Sequence, residues 1–349
     1  MINRKLQSAG NGESNMIFNP SGEVDLLVHN SHDPAYNLAC EEYYLCQSER
    51  NIIMLWRNAP SVIIGRNQNA YAELDMQYIA EHHIPVIRRL TGGGAVYHDL
   101  SNLNYTFITA GSGGFAAFAP FLEPVAAYLR SLGLSAELSG RNDILVDGFK
   151  VSGNAQAHHK NRSLIHGTLL FDVKLESLTR ALKPHPMKLS NKGIASVASR
   201  VANIKNLLPE PMTIDEFIAG LKNWFGGISQ CVPKEITASE NAAIQKLADE
   251  KYSTWTWNIG HAPAFSADAS GYFAGVGSVS VHFDVRDGII TGLKIYGDFF
   301  GSGEIAQLES CLTGVRHEED ALMQAAEQAG LERYINGVSA GEFIRLFFA

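Results

Sequence analysis

The run Arg88-Arg89-Leu90-Thr91-Gly92-Gly93-Gly94-Ala95-Val96-Tyr97-His98-Asp99 constrains this chain more than any other stretch. Two cations lead into three consecutive glycines, and an apolar, strand-like exit follows. Glycine admits positive φ and lets a ligand reach main-chain N–H groups with no Cβ in the way. Successive free N–H groups in a turn form a nest for anions. Arginines add paired donors suited to carboxylate or phosphate. Residues 85–89 read as a strand feeding the loop, so the loop is tied to a sheet, and its chemistry is that of a site for an acyl-phosphate.

Two further segments carry compatible chemistry. Arg141-Asn142-Asp143-Ile144-Leu145-Val146 runs to an Asp147-Gly148 hairpin turn, and Lys150-Val151-Ser152-Gly153-Asn154-Ala155 follows. Strand alternation places Lys150, Ser152 and Asn154 on one face. An inward lysine there holds the charge that develops when a carboxylate attacks a phosphate; the competing reading is a solvated hairpin lysine. Ser163-Leu164-Ile165-His166-Gly167-Thr168-Leu169-Leu170-Phe171 reads as a mostly buried strand with one histidine. On its own, such a histidine is more often a structural hydrogen-bonder than a catalyst, so it adds little by itself.

Together the three segments resemble the lipoate–protein ligase family. Its lipoate-binding loop corresponds to residues 88–99, its lysine motif to Lys150-Val151-Ser152-Gly153-Asn154-Ala155, and its histidine strand to His166-Gly167-Thr168-Leu169-Leu170. A further family stretch matches Lys192-Gly193-Ile194-Ala195-Ser196-Val197-Ala198-Ser199-Arg200-Val201. The resemblance runs from about residue 25 to near the C-terminus and is densest between residues 88 and 201. One departure is Ser101, which stands where the family usually has glycine and puts the local turn geometry in question.

The resemblance implies two reactions at one site. Lipoate's carboxylate attacks the α-phosphorus of ATP, giving lipoyl-AMP and pyrophosphate, and a lysine amine of an acceptor lipoyl domain then attacks the mixed anhydride. It implies that Lys150 is catalytic, bridging the lipoyl carbonyl and the α-phosphate. It assigns the nucleotide and adenylate to Arg89, Gly94, Ala95, Val96, Tyr97, Asn142, Asp143, Lys150 and Lys192. It assigns lipoate to Arg89, Gly92, Gly93, Gly94, Lys150, Ala155 and His166, with Trp56 and Leu38 walling an apolar tunnel. ATP with Mg²⁺ is the expected co-substrate, and no carboxylate cluster in the sequence names the metal's ligands. The implied partners are apo lipoyl domains of 2-oxo-acid dehydrogenase complexes and the glycine-cleavage carrier protein.

Composition is compatible with this. At 349 residues the chain suggests about two domains. A net charge of −8 with no long basic run argues against nucleic acid as the main partner. No continuous apolar stretch is long enough to span a bilayer. Residues 1–15 are polar, lack an apolar signal core and are expected to be disordered, with Met16 an equally suitable start. Cys40, Cys46, Cys231 and Cys311 are scattered with no CxxC pair, which suits a reducing cytosol and offers neither zinc site nor disulfide framework. A cytoplasmic protein is expected.

The pattern of elements is α/β (α+β), with mixed or antiparallel sheets flanked by helices in a large catalytic domain over residues 16–260. A small α+β domain over residues 266–349 follows, resembling the accessory C-terminal domain of some lipoate ligases. Asp33-Pro34 opens a helix over residues 35–47, with Leu38, Ala39, Tyr43 and Cys46 on or near its inner face. Strands are expected at residues 52–56, 61–64 and 103–109, and helices at 74–82 and 118–132, the latter tolerating Pro124. Thr213-x-x-Glu216 and Thr237-x-x-Glu240 are capping boxes that each open a helix. Residues 255–263 break the pattern and mark the domain join. A hairpin around Asp287-Gly288 and helices at residues 304–311, 319–329 and 340–347 complete the second domain. His158-His159 is expected in an exposed turn.

Three other readings stay open on sequence alone. An octanoyltransferase of the same fold group would lean on a cysteine nucleophile, and no cysteine lies in the motif segments. A biotin ligase fits the loop less well. A non-catalytic paralogue that binds lipoyl-AMP or lipoyl domains is the third.

Overall fold

The computed structural model describes residues 23–110, 117–140, 142–174, 180–182, 201–227, 231–259, 267–286 and 288–348. Residues 1–15 and Lys192 lie outside the described residues. In chain order the first elements are strand β1 (Val24–Val28), helix α1 (Pro34–Gln47), strands β2 (Asn51–Trp56) and β3 (Ser61–Ile64), and short helices α2 (Ala70–Glu73) and α3 (Met76–Glu81). Strands β4 (Val86–Arg88), β5 (Val96–His98) and β6 (Asn102–Ala110), helix α4 (Ala119–Ser131), and strands β7 (Ala136–Ser139), β8 (Asp143–Val146), β9 (Phe149–His159) and β10 (Arg162–Leu170) follow. Helix α5 (Ile214–Gly226), strand β11 (Cys231–Lys234), helix α6 (Ala238–Leu247), a π-helical turn (Ala248–Tyr252) and the short helix α7 (Trp255–Asn258) come next. The chain ends with strands β12 (Ala267–Phe273), β13 (Gly277–Arg286) and β14 (Ile289–Gly297) and helices α8 (Ile305–Leu312), α9 (Glu319–Ala329) and α10 (Ala340–Ile344).

Eight strands form the main sheet in the order β11-β1-β2-β6-β10-β9-β8-β7. The trio β11-β1-β2 is parallel, with α1 as the crossover between β1 and β2, and every later pairing is antiparallel. The sheet is therefore mixed, as the short turns between its later strands require. Both faces are covered. Phe121, Leu122, Val125 and Leu129 of α4 and Phe217, Leu221 and Phe225 of α5 pack with Ile53, Leu55, Tyr105 and Phe107 on one face. On the other, α1, Ile244 of α6 and Tyr252 pack with Ile52, Met54, Trp56 and Leu164. That double coverage explains why β2 is buried along its whole length and reads as a continuous apolar run.

Helix α1 starts where its sequence says it should. The Asp33 carboxylate accepts from Ala35 N–H at 2.9 Å, and Pro34 supplies a first-turn residue that needs no N–H partner. Its inner face differs from expectation. Leu38, Ala39, Cys40, Glu41, Tyr44 and Leu45 are buried, whereas Tyr43 and Cys46 are half-buried. Both Thr213 and Thr237 form complete capping boxes. The strand at residues 61–64 leaves the main sheet and centres a second one, ordered β4-β3-β5, which carries the glycine loop between its outer strands. His158 and His159 end strand β9 rather than sit in a turn; the turn is at Lys160, which has φ +53°.

The Asp147-Gly148 hairpin forms with φ +50° and +79°, the pairing of a type I′ turn. Its strands then break register. Leu145 opposes Lys150 and Ile144 opposes Ser152, so Val151 is an extra residue and the ladder carries a β-bulge. The bulge overturns the expected alternation. Ser152 and Asn154 turn toward the α4–α5 face, where Tyr105 Oη lies 3.3 Å from Ser152 Oγ and donates to Asn154 Oδ1. Lys150 turns the opposite way, so that a Cβ on Gly153 would meet its Nζ at 3.0 Å.

The chain from Ala267 onward holds a separate core. Strands β12-β13-β14 form an antiparallel sheet whose Val279, Val281, Ile290 and Ile295 pack on Leu308, Leu312, Leu322 and Phe343. Strand β12 has no counterpart in the sequence reading; its alternating burial belongs to an edge strand with little apolar content.

Gly167 tests the packing under the main sheet. A Cβ there would meet Asn154 Oδ1 at 1.9 Å and Tyr105 Oη at 2.6 Å, both on fully buried side chains. Gly167→Ala is expected to lose about 1–3 kcal/mol in urea denaturation. A loss below about 0.5 kcal/mol would show that this contact gives way freely.

Candidate active site

The glycine loop is held from inside by Arg89, which is 6% exposed. Its Nη2 donates to Gly92 O at 2.7 Å and Gly94 O at 2.8 Å, its Nη1 to Ile63 O at 3.2 Å, and its Nε to Thr91 Oγ1 at 2.9 Å. These donors hold three carbonyls and the Thr91 hydroxyl in the loop and the strand beside it. Burial pushes its pKa down to about 10, partly opposed by the Glu41 carboxylate, so the charge persists at neutral pH behind the loop.

The three glycines answer to different neighbours. A Cβ on Gly92 would meet Phe299 O at 2.4 Å, from the C-terminal domain. Gly93 has φ +91° and faces Arg89 Nη2 and Phe300. Gly94 has nothing within 4 Å of such a Cβ among the described residues. Ala95 and Val96 are half-buried. Val96 and Tyr97 lie in β5, opposite Ile63 and Val62. Because β5 is an edge strand, alternate N–H groups along it point away from the sheet.

A buried hydrogen-bonded chain ties this loop to α1 and the main sheet. Trp56 Nε1 donates to Thr106 Oγ1 at 2.9 Å, and Thr106 donates to Glu41 Oε1 at 2.5 Å. His166 Nδ1 lies 3.0 Å from both Glu41 oxygens, and its Nε2 lies 2.9 Å from Thr91 Oγ1. The carboxylate fixes the proton on Nδ1. Leu38 and Trp56 belong to the same apolar cluster, and Ala155 sits opposite His166 across the β9–β10 ladder. Glu41, 2% exposed, is the residue sequence reasoning missed. The available signal was a carboxylate in the apolar stripe of α1, three residues after Leu38.

Lys150 lies further along that sheet face. Its Nζ is 2.8 Å from Asp143 Oδ1, with both side chains about a third exposed (37% and 30%). Such a pair contributes at most about 1 kcal/mol to stability, so its value is positional: it aims an ammonium at the open end of the site. Asn142 braces β9, its amide donating to Asn154 O and its carbonyl accepting from Asn154 N at 3.0 Å. The end of the fourth motif arrives here as well, since Val201 bridges Lys150 and Ala202 N donates to Lys150 O at 3.1 Å.

His98 completes the wall near Trp56, with ring centroids 6.4 Å apart. Asn58 Nδ2 donates to its Nδ1 at 3.0 Å, which leaves the proton on Nε2. That Nε2, with Asn102 Oδ1 and Asn104 Nδ2, is buried without a partner among the described residues. Ser101 closes the intervening turn by donating its N–H to Asp99 Oδ1 at 2.8 Å. No group of three or more ligating side chains able to hold a metal occurs among the described residues.

A sheet face that joins a glycine loop and the half-exposed Lys150–Asp143 pair to a deep apolar wall fits the class of acyl-activating ligases. Residues 33–226 match the lipoyl protein ligase A/B catalytic domain, and residues 262–347 match the bacterial lipoate protein ligase C-terminus. The chain belongs to the lipoyl protein ligase A/B family. It is 42% identical to lipoate-protein ligase LplJ of Bacillus subtilis (strain 168) over 325 residues, covering 91% of this chain and 98% of the relative. It is likewise 42% identical to lipoate–protein ligase 1 of Staphylococcus aureus (strain Mu50) over 321 residues, with the same shares of 91% and 98%. Among solved structures, P. falciparum LipL1 in complex with lipoate matches with a TM-score of 0.75 at 26% identity, covering 87% of this chain and 94% of that one. A bipartite lipoate protein ligase with its E2 lipoyl domain from Thermoplasma acidophilum gives 0.60 at 32% identity, covering 71% and 100%. Lipoate-protein ligase A bound with ATP gives 0.59 at 32% identity, covering 68% and 98%.

His98 makes the site acid-sensitive. Burial, reinforced by Arg89 and His166, pushes its pKa from 6.5 down to about 3. The unfolded chain therefore takes up the proton first. Stability from keeping this ring neutral is fully present above pH 6.5 and is lost as pH falls toward 3. Urea denaturation between about pH 7 and pH 5 should show His98→Gln with a shallower loss than wild type, by up to about 1.4 kcal/mol per pH unit. Equal slopes would remove His98 as the cause.

Proposed function

We propose that this enzyme activates lipoate with ATP and transfers the lipoyl group to a lysine of apo lipoyl domains, with Lys150 as its catalytic residue. The observation that carries the reading is the bulge at Val151, which turns Lys150 onto the sheet face shared by Ala155, His166, Trp56 and the glycine loop.

In the first step a lipoate carboxylate oxygen bonds to the α-phosphorus of ATP, and the bond to the β-phosphate bridging oxygen breaks, releasing pyrophosphate. In the second step an acceptor lysine nitrogen, as the free amine, bonds to the acyl carbon. The acyl–oxygen bond breaks, AMP leaves with that oxygen, and the amine proton passes to solvent or to the phosphate. Neither step needs an enzyme nucleophile; both need charge stabilised and groups positioned. Lys150 supplies the cation between acyl oxygen and α-phosphate, with Asp143 holding its ammonium. Main-chain groups of Gly94, Ala95, Val96 and Tyr97 receive the nucleotide phosphate, and Arg89 keeps them in place. Asn142 orients the β9 edge beneath the adenylate, and Lys192 adds charge from the fourth motif. Gly92 and Gly93 shape the loop beside the lipoyl carboxylate.

The acyl chain runs toward Leu38, Trp56, Ala155 and His166. Each buried CH₂ there contributes roughly 0.8 kcal/mol, so octanoate is a weaker substrate rather than a rejected one. Mg²⁺ would enter with ATP, where it would supply neutralisation of the phosphate charge. The acceptors are lipoyl domains of 2-oxo-acid dehydrogenase complexes and the glycine-cleavage carrier protein. A cysteine-dependent octanoyltransferase is disfavoured, because burial raises the thiol pKa of Cys40, Cys46 and Cys231, and Cys311 lies on α8.

Intact-mass measurement of an apo lipoyl domain with lipoate and Mg·ATP should show one added lipoyl group, and none when ATP is omitted. Lys150→Ala should slow lipoyl-AMP formation by about 10²–10³-fold, the range for removing one preorganised electrostatic group. Adenylation at the wild-type rate in that variant would take Lys150 out of the mechanism.

A further inference from the structure

Arg88, the neighbour of the loop clasp, is 9% exposed, and no carboxylate is among its hydrogen-bond partners in the described residues. Its Nη1 reaches Gly65 O at 3.0 Å, Arg66 O at 2.9 Å and Gln68 O at 2.7 Å. Its Nε donates to Trp257 O and its Nη2 to Asn258 O, each at 3.0 Å. Burial lowers its pKa to about 10, so it remains a cation caged by main-chain dipoles. A buried charge of this kind holds its acceptors tightly, since losing one leaves it unsatisfied.

The grip extends to the backbone. Strand β4 is an edge strand, and its outer groups at Arg88 have no strand partner. Asn258 Oδ1 accepts from Arg88 N at 2.9 Å, and Trp257 Nε1 donates to Arg88 O at 2.8 Å. Two side chains thus do the work of a missing strand, immediately before the loop begins. They are braced in turn. Asn258 Nδ2 donates to Tyr252 O at 2.6 Å, Lys251 Nζ lies 4.1 Å from the Trp257 ring centroid, and Glu42 of α1 binds Lys251 and Tyr252 at 2.7 Å. Residues 255–258 fall between the two matched family regions, 33–226 and 262–347.

We propose that the segment 255–258 is a positioning element of the glycine loop, with Asn258 acting on the loop through Arg88. The inference rests on the ligase reading above. Arg89 N donates to Ile64 O at 3.0 Å on the inner side, so a shift of Arg88 moves the clasp that shapes residues 92–94. A displaced loop holds its ligand less tightly, an effect that reads in KM rather than in kcat.

The test is lipoate-dependent ATP–pyrophosphate exchange with full-length protein, well below the melting temperature. Asn258→Ala should raise KM for lipoate about tenfold with kcat changed less than about threefold. Trp257→Phe, a milder change that removes one donor and keeps the ring, should shift KM in the same direction by less. Val338→Ala, in the fully buried core of the second domain, controls for lost stability and should leave KM unchanged. Hydrogen exchange of peptides covering residues 86–98 should quicken in Asn258→Ala and not in Val338→Ala. Unchanged KM and exchange in Asn258→Ala, or an equal KM rise in Val338→Ala, would overturn the inference. If wild-type protein gave no lipoate-dependent exchange at all, the ligase reading would fail, while the hydrogen-exchange comparison would still decide the positioning role.

Discussion

The fold around the site depends on one clasp, the Arg89 guanidinium closed over the carbonyls of Gly92, Gly94 and Ile63. A turn with three consecutive glycines has almost no conformational preference of its own, and ordering it costs more backbone entropy than ordering any other tripeptide. A buried cation with several converging donors offsets that cost, because charge-assisted hydrogen bonds in a low dielectric are strong. The same charge leaves a positive field on the loop's open side. One side chain thus orders the nest and prepares it for an anion.

The main sheet divides its labour between faces. The α4–α5 side is a conventional apolar core with Tyr105 anchored on Ser152 and Asn154. The α1 side carries the polar chain from Trp56 through Thr106, Glu41 and His166 to Thr91. Such a network is tolerable in the interior only when each member is satisfied. It joins five separate stretches of chain, so a movement of α1 is felt at the loop. The bulge at Val151 is what delivers Lys150 to this face; with a regular ladder, Lys150 would share the opposite face with Ser152 and Asn154.

Much of the architecture was legible from local chemistry. The Asp33-Pro34 start, the two threonine capping boxes and the Asp147-Gly148 hairpin each formed as their residues require, since each is a short-range interaction. The glycine loop and Lys150 were legible as chemistry. The bulge was not, because one inserted residue in a ladder depends on the partner strand's register rather than on its own composition. Nor was Glu41 legible as part of the site. Its partners Thr106 and His166 are 65 and 125 residues away, and a carboxylate on a helix reads as solvent-facing until tertiary packing buries it. The same holds for Arg88 and Arg89, whose guanidinium partners are mostly main-chain carbonyls that no side-chain pattern reveals.

The glycine run itself shows how a ligand motif and a packing motif share residues. Gly92 is small because Phe299 O lies where its Cβ would be, and Gly65 is small because Gly93 O does. Phe300 covers Gly93 from the C-terminal domain, Gly297 N donates to Asn67 O at 2.7 Å, and Arg66 pairs with Glu304. The loop is therefore compressed from inside by Arg89, from behind by residues 65–67 and from outside by the second domain. Of the three loop glycines, Gly94 alone has no described neighbour within 4 Å of where a Cβ would sit. A substitution at Gly92 would meet the second domain, whereas one at Gly94 would meet no described neighbour, although the sequence presents the two as equivalent.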